Sequence, residues 1–242
     1  MPVPFGRNGD RTQPMTAKSA LTELKRLSSK TYRDGMARYG LPMDRAMGVP
    51  VGAIQKLGKR IGKDHKLAVA LWNSGWYEAR MLTAYVSDPA ALTPAQMDRW
   101  CKQFDNWGIC DTLCFALFDK SPHAWKKVHA WAKKKSEFER RASFALLASL
   151  AGHDKDSPDD RFLKTLPLIQ KAASDDRNFV KKGVSWALRG IGHRSLGLHT
   201  AAVSLATQLS KSQDATERWL GKDVLRDLRR PAVIARLKRR AR

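Results

Sequence analysis

An all-α fold, a curved α-α superhelix of stacked helix pairs, is predicted by three observations: apolar residues at helical spacing, clear helix-start signals, and an aromatic–basic pattern recurring 40 and 41 residues apart.

Leu21, Leu24 and Leu27 step by three, Leu67 and Leu71 by four, and Leu146, Leu147 and Leu150 by three to four, so each set shares one helical face. Alternating β-branched runs, the mark of strands, are absent from the sequence. Thr93-Pro94-Ala95-Gln96 and Ser136-Glu137-Phe138-Glu139 read as capping boxes. Ser121-Pro122 and Ser157-Pro158 read as an N-cap followed by a first-turn proline. Roughly a dozen helices with short connections are expected.

The recurring pattern places a basic residue three positions after an aromatic: Tyr77/Arg80, Phe138/Arg141, Phe179/Lys182 and Trp219/Lys222. The last three copies keep the short end of the HEAT/armadillo period, in which two or three helices per unit stack into a solenoid. The longer gap from Tyr77 to Phe138 must hold an extra or irregular element around Trp107. Equivalent positions on successive helices share a face, so Arg80, Arg141, Lys182 and Lys222 are expected to form a basic stripe along the superhelix.

The sequence divides into a polar, basic arm over residues 1–14, expected to be disordered, a HEAT-like helical-repeat domain over 15–230, and a basic C-terminal tail over 231–242. From Arg226 onward arginines and lysines face only Asp227, a composition suited to phosphate.

Charge narrows the partner. Lys+Arg 45 against Asp+Glu 23 gives a formal net charge of +22, far beyond what solubility needs, and points to a polyanion. A membrane surface would call for a long apolar run or a strongly amphipathic basic helix, and neither is present. Duplex DNA bound in a concave cationic groove, by a cytoplasmic monomer, is the expectation. Cys101, Cys110 and Cys114 form no C-x-x-C pair and the six histidines no H-E-x-x-H, so no metal and no cofactor are expected and the thiols read as buried and reduced.

Of eight tryptophans, Trp72, Trp100, Trp125 and Trp131 fit packing roles. Trp107 stands four residues before Asp111, which puts an indole and a carboxylate on one helix face, a cradle for a cationic base. The plainer alternative is an Asp near a helix N-terminus beside a packing Trp.

The runs Lys63-Asp64-His65-Lys66-Leu67-Ala68, Leu71-Trp72, Glu78-Ala79-Arg80, Phe104-Asp105-Asn106-Trp107 through Asp111-Thr112-Leu113-Cys114, Phe138-Glu139-Arg140-Arg141-Ala142 and Arg177-Asn178-Phe179-Val180-Lys181-Lys182 to Trp186-Ala187-Leu188-Arg189 together resemble the AlkD-like DNA alkylation repair family. The resemblance spans roughly Ala46 to Leu228. It implies a HEAT-like solenoid and a monofunctional glycosylase that releases N3- and N7-alkylated purines. Matched residue by residue, it implies Trp107, Asp111 and Trp186 as catalytic residues and Arg141 as a phosphate contact, with Arg140, Arg80, Lys182, Arg189 and Lys222 as further DNA-binding residues. Gly108 stands where the family often carries an acidic residue.

The residue types suit that chemistry. Alkylation at N3 or N7 makes the purine cationic and already a good leaving group, so the protein must mainly stabilise the sugar cation. Asp111 can do this electrostatically and can orient the attacking water. Trp107 and Trp186 can hold the cationic nucleotide on their ring faces. Glycosylases generally extrude the base into a pocket; this family is taken to hold a distorted duplex against an open concave surface, and the sequence shows no wedge residue. Two other readings compete: a non-catalytic HEAT-like protein binding structured or damaged DNA, which charge and repeats fit equally well, and a protein-interaction scaffold, which +22 opposes.

Overall fold

The computed structural model describes residues 15–41 and 44–240; the expected disordered arm lies outside them. Among the described residues the regular structure is entirely helical. The elements are α1 (Ala17–Arg26), α2 (Lys30–Met36), α3 (Val51–Ile61), α4 (His65–Asn73), α5 (Tyr77–Val86), α6 (Pro94–Lys102), α7 (Trp107–Ala116) and α8 (Ala124–Trp131), then α9 (Glu137–His153), α10 (Asp159–Leu163), α11 (Leu166–Ala172), α12 (Asn178–Gly192), α13 (Leu196–Ser210), α14 (Ala215–Leu228) and α15 (Pro231–Arg240).

Side-chain caps set several starts. Asp64 accepts from the Leu67 amide at 2.8 Å, Thr93 from Gln96 at 3.1 Å, and Asn106 from Ile109 at 2.9 Å, each satisfying an orphan first-turn donor. Other expected starts shift. Ser136 flanks α9 but makes no side-chain cap, and Glu139 turns to Lys134 at 3.7 Å. Ser121 and Ser157 each stand before the cap residue, because α8 begins at Ala124 and α10 at Asp159.

Successive helices pair, α4 with α5, α8 with α9 and α13 with α14, and the second members stack in one row: α5 on α7, α7 on α9, α9 on α12, α12 on α14. The row explains the long gap in the repeat. Between Tyr77 and Phe138 lie α6, α7 and α8, and the member of the row among them, α7, begins at Trp107 and lacks the aromatic–basic signature. One apolar core runs from Ala20 to Leu228. Within α9 every residue from Arg141 to Ala151 is buried, which makes it the packed axis of the molecule.

Polar bonds tie each repeat to its neighbour. Trp72 Nε1 donates to Gln103 Oε1 at 2.8 Å, Trp131 Nε1 to Asp98 Oδ1 at 2.8 Å, Ser149 Oγ to Asp119 Oδ2 at 2.6 Å, and Ser185 Oγ to Asp223 Oδ2 at 2.7 Å. The three cysteines are buried and unbridged, with Cys114 Sγ donating to the Ala142 carbonyl across the α7–α9 contact. At the C-terminal end the expected tail is helical: α15 buries Val233 and Leu237 and exposes Lys238, Arg239 and Arg240. Apolar residues four apart anchor it, so the stretch through Arg240 is part of the packed fold. No described helix is long and apolar enough to cross a membrane.

Candidate active site

Because Asn106 caps α7, the helix starts at Trp107, and Trp107, Asp111 and Phe115 fall four apart on one face. That face lines a groove of about 790 Å³, completed by α9, α12, α14 and residues 38–40. Its aromatic walls are Trp107, Phe179, Trp186 and Trp219, and Arg38, Lys182 and Arg189 bring positive charge to it. Trp186 stacks on Phe115, centroids 4.7 Å apart and planes 8° apart, which fixes the indole and covers one of its faces. The Trp107 ring is held by its Nε1–H, which donates to the Tyr39 carbonyl at 2.8 Å.

Asp111 and Arg141 form a bidentate pair: Nε donates to Oδ1 at 2.9 Å and an Nη to Oδ2 at 2.7 Å, while the other Nη donates to the Phe179 carbonyl at 2.7 Å. This gives Arg141 a part beyond the expected phosphate contact. Its side chain is only 7% exposed, and three of its N–H groups bond within the protein, so it orients Asp111 at the wall of the groove. Burial pushes the Asp111 carboxyl above its ordinary pKa, against the pull of the Arg141 hydrogen bonds and charge. Burial lowers the Arg141 guanidinium, but bonding to Asp111 outweighs it and holds that pKa above its usual value.

Each carboxylate oxygen accepts one bond from Arg141 and keeps a further lone pair, and the Asp111 side chain is 17% exposed toward the groove. A water there would find an oriented acceptor.

The groove gathers Trp107, Asp111, Arg141, Lys182, Trp186 and Arg189, and leaves three expected residues outside. Arg80 lies over the Trp72 ring, 4.8 Å from its centroid, and lines a separate cavity with Asp44, Arg45 and Asp105. Arg140 donates to Asp175 at 2.9 Å, beside Arg177. Lys222 is exposed without lining the groove. The expected four-residue stripe is therefore broken: of its members Lys182 alone is an exposed cation lining the groove.

Gly108 answers a packing demand. A Cβ there would stand 2.4 Å from the Tyr77 hydroxyl and 3.0 Å from Leu41, so only glycine lets Tyr77 approach α7 this closely. Residues that sequence reasoning missed include Arg38, Tyr39, Ser185 and Asp223. Tyr39 belongs to a short 3-10 turn, Ala37–Tyr39, with no periodic signal, whereas Asp223 follows the repeat position Lys222 by one residue and was within reach.

Stacked helix pairs whose inner row carries an aromatic-walled basic groove around an Asp–Arg pair define a HEAT-like repeat fold with a candidate site on one face. The chain belongs to the DNA alkylation repair enzyme family, whose model matches residues 20–225. A solved structure described as belonging to a new family of proteins related to the HEAT-like repeat DNA glycosylases, with affinity for branched DNA structures, superposes with a TM-score of 0.74 over 88% of this chain and 95% of that one, at 20% identity. No curated protein matches this sequence.

Proposed function

We propose that this protein is a monofunctional DNA glycosylase that hydrolyses the N-glycosidic bond of N3- or N7-alkylated purines in duplex DNA. The observation that carries the reading is the Asp111 carboxylate, oriented by Arg141 in a basic groove between Trp107 and Trp186. Backbone phosphates lie along Lys182, Arg189 and Arg38 without base readout. The C1′–N bond breaks with its electron pair returning to the cationic purine, which leaves as a neutral alkylated base. The Asp111 charge stabilises the sugar cation, and a water held by the carboxylate adds to C1′ and gives its proton through Asp111 to solvent.

Incubation with duplex containing 7-methylguanine tests this directly: free 7-methylguanine is expected, and none at any enzyme excess would sink the assignment. Asp111→Asn should slow single-turnover release by at least about tenfold, or about 1.4 kcal/mol. Wild-type-like release would remove Asp111 from the mechanism. A second reading, a non-catalytic binder of structured DNA, is favoured by the solved relative's affinity for branched DNA; it expects tight binding to a four-way junction without base release.

A further inference from the structure

A basic cavity of about 600 Å³ opens at the C-terminal ends of α9 and α12, beside α15. Lys155, Arg194, Arg236 and Arg240 line it, and Asp159 is the one carboxylate among the described residues that do. Asp159 is already engaged: it accepts from the Ser195 hydroxyl and stands 3.5 Å from Arg194 Nε. Arg194 in turn donates to the Asp154 and Ser157 carbonyls. The other three cations have no carboxylate partner among the described residues. Arg236 donates to the His193 imidazole and Lys155 to the Gly152 carbonyl, while Arg240 makes no hydrogen bond or ion pair there. Cations at helix C-termini ordinarily serve the carbonyls and the dipole, which accounts for Arg194 and Lys155. It does not account for Arg236 and Arg240, which α15 brings in from a separate element.

We propose, on the DNA-binding reading that both functions above share and independently of base release, that this cavity is a second phosphate site for the backbone of DNA flanking the groove. The floor consists of small residues, Ala148, Ala151, Gly152 and Gly190, so the cations surround open space into which a phosphate fits. Among the described residues lining it there is no Phe, Tyr or Trp, in contrast to the groove, so it offers nothing for a base to stack on and suits the backbone alone. Its place relative to the groove selects DNA over a free anion. Helix α12 gives Trp186 and Arg189 to the groove, and Gly190 and His193, each four residues further on, to the cavity. One helical turn therefore separates the two sets, about 6 Å along the axis. A backbone held by Lys182 and Arg189 has further phosphates to place, and the cavity is the next cationic position on that face. Arg236 and Arg240 lie beyond the residues 20–225 that the family model matches, so α15 adds this contact from outside the matched region.

Gly152 lines the cavity and has nothing within 4 Å of where a Cβ would stand, so Gly152→Phe fills the space without changing the charge. Lys155→Ala/Arg240→Ala removes two exposed cations from its wall. Lys126→Ala/Lys171→Ala, the control, removes two exposed cations that line neither space. Affinity of the full chain for a long unmodified duplex is measured across a salt series, with a melting curve for each variant. Gly152→Phe is expected to weaken binding and to reduce the magnitude of the slope of log K against log salt by about 1, and the double variant by about 2. The control pair is expected to leave the slope near that of wild type. A folded Gly152→Phe or double variant with the wild-type slope, or an equal loss in the control, overturns the proposal. If Gly152→Phe folds poorly, the double variant against its control decides. Wild type without affinity for duplex refutes the DNA-binding reading itself, whereas wild-type binding that the variants leave untouched refutes the cavity alone. Where 7-methylguanine is released, its rate at saturating protein is expected to be the same in Gly152→Phe; a slower one would put the cavity at the reacting nucleotide and overturn its flanking role.

Discussion

Asp111 is pulled in two directions: burial favours its neutral form, and the Arg141 fork favours the charged one, with burial prevailing. A base is most useful with a pKa nearer the working pH, so the displacement suits the proposed role. In that proposed role the carboxylate must be ionised for base release. The rate should therefore fall as pH drops through the Asp111 pKa, on a limb lying above the roughly 3.9 of an ordinary aspartate. In Asp111→Asn the residual rate should lack that limb; a limb unchanged in the variant would assign it to another group. The four-residue spacing of Trp107 and Asp111 was legible in the sequence because helix geometry alone sets their common face. The Asp111–Arg141 bond was not, since it joins different repeats, and that is why Arg141 reads from sequence as a phosphate contact.

Among the elements, α5 is tied to the chain before it through an uncommon device. Glu78, fully buried, accepts hydrogen bonds from the amides of Met47 at 2.9 Å, Gly48 at 2.7 Å and Val49 at 3.3 Å, and so anchors the segment leading into α3. Gly48 has φ +83, and a side chain there would meet the Ser29 carbonyl at 2.5 Å, so the turn also demands glycine. Glu78→Ala strands three amides in or near the core, a loss of about 3 kcal/mol. For a chain of this size that lowers the melting temperature by about 6 to 12 °C; a change within a degree would show the anchor to be dispensable. The aromatic–basic repeat exposes α9, α12 and α14 in the sequence because all three carry the pattern, from the first turn in α9 and α12 and from the second in α14. It hides α7, whose first turn is occupied by Trp107 and Gly108 for the sake of the site and of Tyr77.

At the scale of the whole molecule, the +22 charge predicts DNA affinity that falls steeply with salt, through release of condensed counterions, with little sequence preference. Lys182→Ala should weaken binding to all sequences alike and reduce the magnitude of the slope of log K against log salt by about 1. A sequence-selective loss would contradict its place as a phosphate contact. The fold class was legible because periodicity and repeat spacing are properties of the chain itself. Which cations face the groove depends on pairing between repeats, as Arg140 and Asp175 show. The polar bonds from Trp72 to Gln103, Trp131 to Asp98 and Ser185 to Asp223 all join neighbours along the stack. A chain wired mainly to its neighbours closes small loops as it folds, so it can nucleate at α9 and α12 and grow outward toward both ends. It also unravels inward from its ends, which leaves Asp111 and Arg141 among the last residues to lose their partners.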